Sequence, residues 1–199
     1  MALKYKLFVK TGLAGLLSCF FVGCTMSGYV AKRLITPPNQ QRQNDEMRAK
    51  LDAMQTKILG AGNSILLSNE TKLAYQVIEP GDYQLELESS LETDTFKFNF
   101  SFTKSKELPE PHGTIILLHG YYLDRRSMIP WGLYFAQHGY RSILVDLRGH
   151  GDSSGDSVTF GQEERYELKE LLNALGAQNI VEDPVGVFGY SYGAVMAIQ

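Results

Sequence analysis

Pro184-Val185-Gly186-Val187-Phe188-Gly189-Tyr190-Ser191-Tyr192-Gly193-Ala194-Val195-Met196-Ala197-Ile198 is the stretch on which the reading of this chain turns. A short apolar run ends in G-x-S-x-G and passes at once into small residues suited to a helix. A strand and a helix joined so tightly leave the serine on a sharp corner with unfavourable backbone angles, tolerable only where the surrounding sheet fixes them. Glycines two residues to either side relieve the crowding between strand and helix. The corner lifts the Ser191 hydroxyl clear of the sheet. It also sets a helix N-terminus beneath it, where developing negative charge is favoured.

Upstream, the texture from residue 113 fits this context. Gly113 to His119 is a continuous apolar run, GTIILLH, as a strand buried on both faces would be. Tyr140 to Leu147, YRSILVDL, gives a second such strand. Between them Met128 to His138 reads as a helix closed by Gly139. Phe160 to Leu175 reads as another, with Leu168, Leu171, Leu172 and Leu175 on one side. Strand, helix, strand, helix, strand predicts an α/β fold with a mostly parallel sheet and right-handed crossovers.

Three motifs then agree in identity, order and spacing. They are His119-Gly120 after the first buried strand, Asp146-Leu147-Arg148-Gly149-His150-Gly151-Asp152-Ser153 after the second, and Gly189 to Gly193 after the third. Together they resemble the α/β-hydrolase family, in its lipase, esterase and serine-aminopeptidase-like branch, over residues 113 to 199. The resemblance implies a serine hydrolase in which Ser191 attacks an acyl carbon to form an acyl-enzyme. The backbone N–H groups of Tyr192 and Tyr121 would be the oxyanion donors. Both tyrosine side chains are expected to wall the acyl pocket. His119, Gly120, Asp146, Arg148 and His150 are implied as loop-organising residues, with Asp146 and Arg148 expected to pair. The family's order of triad residues is serine, acid, histidine. His112, His119, His138 and His150 all precede Ser191, and YGAVMAIQ after it contains neither acid nor histidine. The chain therefore reads as the N-terminal part of a longer enzyme. It is incomplete at its C-terminal end and expected to be nearly inactive alone.

The first residues read as an address. Lys4, Lys6 and Lys10 precede an uncharged stretch from Thr11 to Gly23, too short to span a bilayer comfortably and about right for a signal peptide. Phe21-Val22-Gly23-Cys24 resembles a bacterial lipoprotein signal, with Leu16-Leu17-Ser18-Cys19 a less favourable second candidate and an uncleaved signal anchor the alternative. This gives three expected segments: 1–23 a signal peptide, 24–69 a linker and amphipathic helix, and 70–199 the hydrolase portion. Cys24 becomes the lipidation site and the bacterial cell envelope the location. Residues 25 to 40 read as linker. Asn44 to Leu59 reads as a helix with Met47, Leu51, Met54 and Ile58 on one face. Lys72 to Ile78 and Thr95 to Thr103 read as strands, the second alternating four phenylalanines with polar residues.

Composition narrows the partners. Hydrophobic residues make up 44% and charged residues 21%, with a net charge of -3 and no Lys/Arg-rich block, so a nucleic-acid role has little support. Arg125-Arg126 is read as a pair of solvated loop charges. Both cysteines, Cys19 and Cys24, lie in the first 24 residues, so the globular part has no disulfide or cysteine metal site. No cofactor is implied, because the chain has no metal cluster, Walker loop or dinucleotide fingerprint. The expected partners are a small-molecule or acyl substrate and a membrane. The sequence leaves oligomeric state open. The competing functions are a non-catalytic envelope binding protein on the same fold and an acyltransferase.

Overall fold

The computed structural model describes residues 28–37, 56, 59–92, 95–107 and 110–199. The chain divides into two compact units, Met1–Thr36 and Pro37–Gln199. In the first, residues 28–35 form a short helix (α1) where a linker was expected. The helix stops just before the Pro37-Pro38 pair, which cannot continue it. In the second, the elements run β1 (Asn63–Leu66), β2 (Lys72–Ile78), β3 (Gly81–Glu92), β4 (Thr95–Glu107), β5 (Thr114–Leu118), α2 (Ile129–Gln137), β6 (Arg141–Val145), α3 (Glu164–Ala177), β7 (Val185–Gly189) and α4 (Tyr192–Ala197). A single 3-10 turn, Arg125–Met128, leads into α2.

The main sheet has five strands in the order β1-β2-β6-β5-β7. β6, β5 and β7 run parallel, whereas β1 pairs β2 and β2 pairs β6 antiparallel. The sheet is therefore mixed rather than mostly parallel. The reason is local: β1 and β2 are joined by a turn at Leu67–Thr71, closed by a backbone bond from Leu67 N–H to Thr71 O. So short a connection can only reverse the chain. The helix expected at Asn44 to Leu59 falls almost wholly outside the described residues. Of it, Thr56 and Leu59 are described and helical.

Alternation along the central strands sorts the core onto two faces. Ile116, Leu118, Ile143 and Val145 pack on one side with Leu168, Leu171 and Leu175 of α3 and with Tyr192 and Met196 of α4. Leu117 and Leu144 point the other way and meet Met128, with Leu133 and Ala136 of α2. Each such large side chain, taken fully out of water, contributes about 1.5–3 kcal/mol before the entropy of ordering it. The result is a sheet between helices, with the C-terminal ends of β5, β6 and β7 at one rim. The β3-β4 pair forms a separate two-stranded sheet in antiparallel register from Gly81↔Glu107 to Glu92↔Thr95, with an irregularity at Asp82/Tyr83.

Candidate active site

At the rim, β7 ends at Gly189 and α4 begins at Tyr192, leaving Tyr190 and Ser191 as the bend. Ser191 has φ 52 and ψ -111, a strained combination for a residue with a side chain. It is exposed. The two glycines are required by space. A Cβ on Gly189 would run into the Gly193 carbonyl and Ala194 N, and one on Gly193 into the Leu118 carbonyl. The bend is held by Tyr190 N–H donating to Leu118 O (3.0 Å) and Gly193 N–H donating to Tyr190 O (3.0 Å). The Tyr192 N–H is the first of α4 and so has no acceptor within the helix.

The loop after β5 lies beside this bend. His119 is fully buried. Its Nδ1–H donates to Gly120 O (2.9 Å), and its Nε2 accepts from Leu147 N–H (3.0 Å), which ties the loop after β5 to the loop after β6. Burial, with His150 beside it, pulls the His119 imidazole down to about 3, so the ring is neutral across the physiological range. His150 is also buried, with Nδ1 2.8 Å from Arg148 O and Nε2 2.8 Å from Tyr121 O. It thus links the two loops a second time.

Asp146 and Arg148 do not pair with each other. Asp146 is completely buried and accepts from Arg125 N–H (2.7 Å), from the Arg125 guanidinium and from Asp152 N–H (2.9 Å). Arg148 instead forks onto the buried Glu167 carboxylate (2.9 and 2.6 Å) and donates to Thr71 Oγ1 (2.9 Å). Arg125-Arg126 is not a pair of solvated charges either. Arg125 is buried between Asp146 and Asp152, and Arg126 pairs with Asp124. Burial alone would lower the Arg125 guanidinium, but the two carboxylates outweigh it and hold it above its ordinary value.

Four aromatic groups gather at the rim. Tyr121 lies 5.9 Å from Tyr192, 6.1 Å from Phe160 and 5.8 Å from His150, ring to ring. The Tyr192 side chain is buried and its hydroxyl donates to Glu164 Oε1 (3.0 Å). Burial and the adjacent Glu164 charge push that phenol well above its ordinary range. Glu164 is buried, and the hydrogen bonds to its carboxylate come from neutral donors. Besides Tyr192 these are Thr159 N–H (2.7 Å), the Thr159 hydroxyl and Gly161 N–H (2.8 Å). Burial raises this carboxyl, yet the hydrogen bonds win and keep it below the usual range.

The motifs do not single out Glu164 or Phe160. The helical pattern takes in Phe160 to Glu163, whereas α3 starts at Glu164 and Phe160 has φ 54. The available signal is the pair Thr159…Glu164 at the start of an amphipathic run, a cap-like pairing at a spacing longer than the capping box. Among the described residues no group of three or more His, Cys, Asp or Glu could hold a metal ion.

Comparison with known proteins bears on this arrangement. The chain is 29% identical over 91 residues to the uncharacterized protein YqkD of Bacillus subtilis, a match covering 44% of this chain and 30% of that protein. It is 31% identical over 87 residues to epoxide hydrolase 3 of Siraitia grosvenorii, covering 42% of this chain and 26% of that one. Among solved structures it resembles the Pyrococcus furiosus esterase Pf2001, with a TM-score of 0.50 and 26% identity over 69% of this chain and 44% of that one. The chain thus spans less than half the length of each of these proteins. The expectation of a membrane partner, a lipid anchor on Cys24 and an envelope location is corrected. Cys24 lies outside the described residues, no helix among those described is long and apolar enough to cross a membrane, and the structural likeness is to an esterase. The mixed sheet, the buried loops and the bend at Ser191 accompany a family match over residues 32–199, and the chain belongs to the X-Pro dipeptidyl-peptidase (S15) family of α/β-hydrolase-type enzymes.

Proposed function

We propose that the full-length protein is a serine hydrolase that cleaves an ester or amide through an acyl-enzyme on Ser191. The observation that carries this reading is the exposed serine at φ 52 on the bend between β7 and α4. That backbone conformation costs energy of order 1–3 kcal/mol, strain of the kind stored at functional sites. In the reaction, Ser191 Oγ bonds to the acyl carbon while its proton passes to a base. The leaving group then departs carrying a proton, and water releases the acid from the serine. The N–H of Tyr192 and that of Tyr121 hold the negative oxygen of the tetrahedral intermediate, each contributing about 10²–10³ in rate. His119, His150 and the Arg125–Asp146 pair act on this chemistry through geometry, by fixing the loops that carry Tyr121. Residues 70–199 then form the N-terminal part of the hydrolase domain.

Both amides and esters are consistent with the likenesses: the family is described as an X-Pro dipeptidyl-peptidase, and the Pyrococcus protein is named an esterase. Replacing Ser191 by Ala in the full-length protein is expected to reduce ester and peptide-amide hydrolysis by about 10⁶ with an unchanged melting curve. Retention of more than a few per cent of wild-type turnover would rule Ser191 out as nucleophile.

A further inference from the structure

Phe160 combines three unusual properties. Its backbone sits at φ 54, where bulky side chains are seldom found. It is 49% exposed, although the chain beside it is tied down. And the amides on either side of it, Thr159 N–H and Gly161 N–H, both donate to the one carboxylate of Glu164. The same carboxylate receives the hydroxyl of Tyr192, the residue next to the proposed nucleophile. A loop aromatic serving only to cover the core would be unstrained. This one is clamped in a costly conformation beside Tyr121 and Tyr192. It stacks on Tyr121 at 6.1 Å with an interplanar angle of 14°, and meets the Tyr192 ring edge-on at 5.7 Å.

We propose that Phe160 is a specificity-determining residue whose ring, stacked on Tyr121, forms an aromatic wall that receives an aromatic acyl group of the substrate. Strain concentrated at a fixed position is characteristic of residues that must present a group to a ligand. Flat rings pack well against an edge-and-face aromatic pair of this kind. Glu164 is the positioning residue: one buried anion fixes both the wall and the Tyr192 side chain. The proposal rests on the serine-nucleophile reading and deepens it by naming the substrate class.

The test uses two phosphonate probes on the full-length protein, ethyl methylfluorophosphonate and ethyl benzylfluorophosphonate, which differ by one phenyl group. In each the serine oxygen bonds to phosphorus as fluoride leaves, so no turnover is needed. The rate of adduct formation at Ser191 is followed by mass spectrometry. The benzyl probe is expected to react about tenfold faster than the methyl probe with the wild type and with Phe160→Tyr. In Phe160→Asn, which tolerates the same backbone angle without the ring, the two rates converge. Phe160→Gly serves the same purpose should the asparagine variant fail to fold. An unchanged rate ratio in the ring-less variant, or a wild type that prefers the methyl probe, would overturn the aromatic wall and leave the nucleophile standing. Failure of both probes to label Ser191 would overturn the nucleophile reading and the wall with it.

Discussion

At the scale of single residues, the site is built from positions where only one kind of group fits. Gly193 faces the Leu118 carbonyl so closely that a methyl group must displace backbone. Gly193→Ala is expected to cost about 1–3 kcal/mol or more, read as a fall in the urea midpoint at constant m-value. Asp146 is a completely buried carboxylate whose cationic hydrogen-bond partner is Arg125. Arg125→Met should therefore destabilise by about 3–5 kcal/mol, because it strands that charge, whereas a surface arginine changed in the same way would move the midpoint little. The serine and its glycines are legible in the sequence because the motif states the sterics directly. The partners of Asp146 are not. Arg125 lies 21 residues away across a crossover, and nearness in sequence points to Arg148 instead.

At the scale of elements, the first turn of α3 does more than begin a helix. Glu164 sits where the helix dipole favours a negative charge, and four donors converge on it. Glu164→Gln supplies an amide NH2 where only acceptors are wanted, so two donors lose their partner. It should lower the melting temperature and slow phosphonate labelling of Ser191. Tyr192→Phe removes one hydrogen bond and costs about 1 kcal/mol. The strands β5, β6 and β7 can be read from their apolar runs, and β2 from its residues Lys72 to Ile78. β3 escapes notice because Asp82, Glu86 and Glu88 are poor strand formers by composition, and only pairing with β4 makes the segment extended. The start of α3 is misplaced by four residues because Phe160 and Gln162 fit a helical pattern that the turn at Phe160–Gly161 interrupts.

At the scale of the whole molecule, strand direction is what sequence patterning does not carry: an apolar run is the same read into a parallel or an antiparallel neighbour. That is why the two antiparallel pairings on the β1 side escape a reading that foresees the parallel half. Acid sensitivity is also a property of the whole fold. His119 stays neutral in the folded protein down to about 3 and takes up a proton near 6.5 when unfolded. Its contribution is complete above pH 6.5 and is lost as pH falls toward 3, at about 1.4 kcal/mol per pH unit. Glu164, held below 4.5, adds a second loss at lower pH, as its carboxylate is protonated. Urea midpoints should therefore be level from about pH 7 to 9, fall below about pH 6.5, and fall again above about pH 10, where the Tyr192 phenol ionises in the unfolded chain but not in the folded one. In His119→Gln the decline should be shallower between about pH 6 and 5, whatever the variant's absolute stability. The most direct test of the central claim is to treat the full-length protein with a fluorophosphonate, digest it and locate the adduct by peptide mass spectrometry. The account predicts one adduct, on the Ser191 oxygen, absent from Ser191→Ala. A protein that hydrolyses esters yet carries no adduct on Ser191, or carries it on another residue, would contradict it.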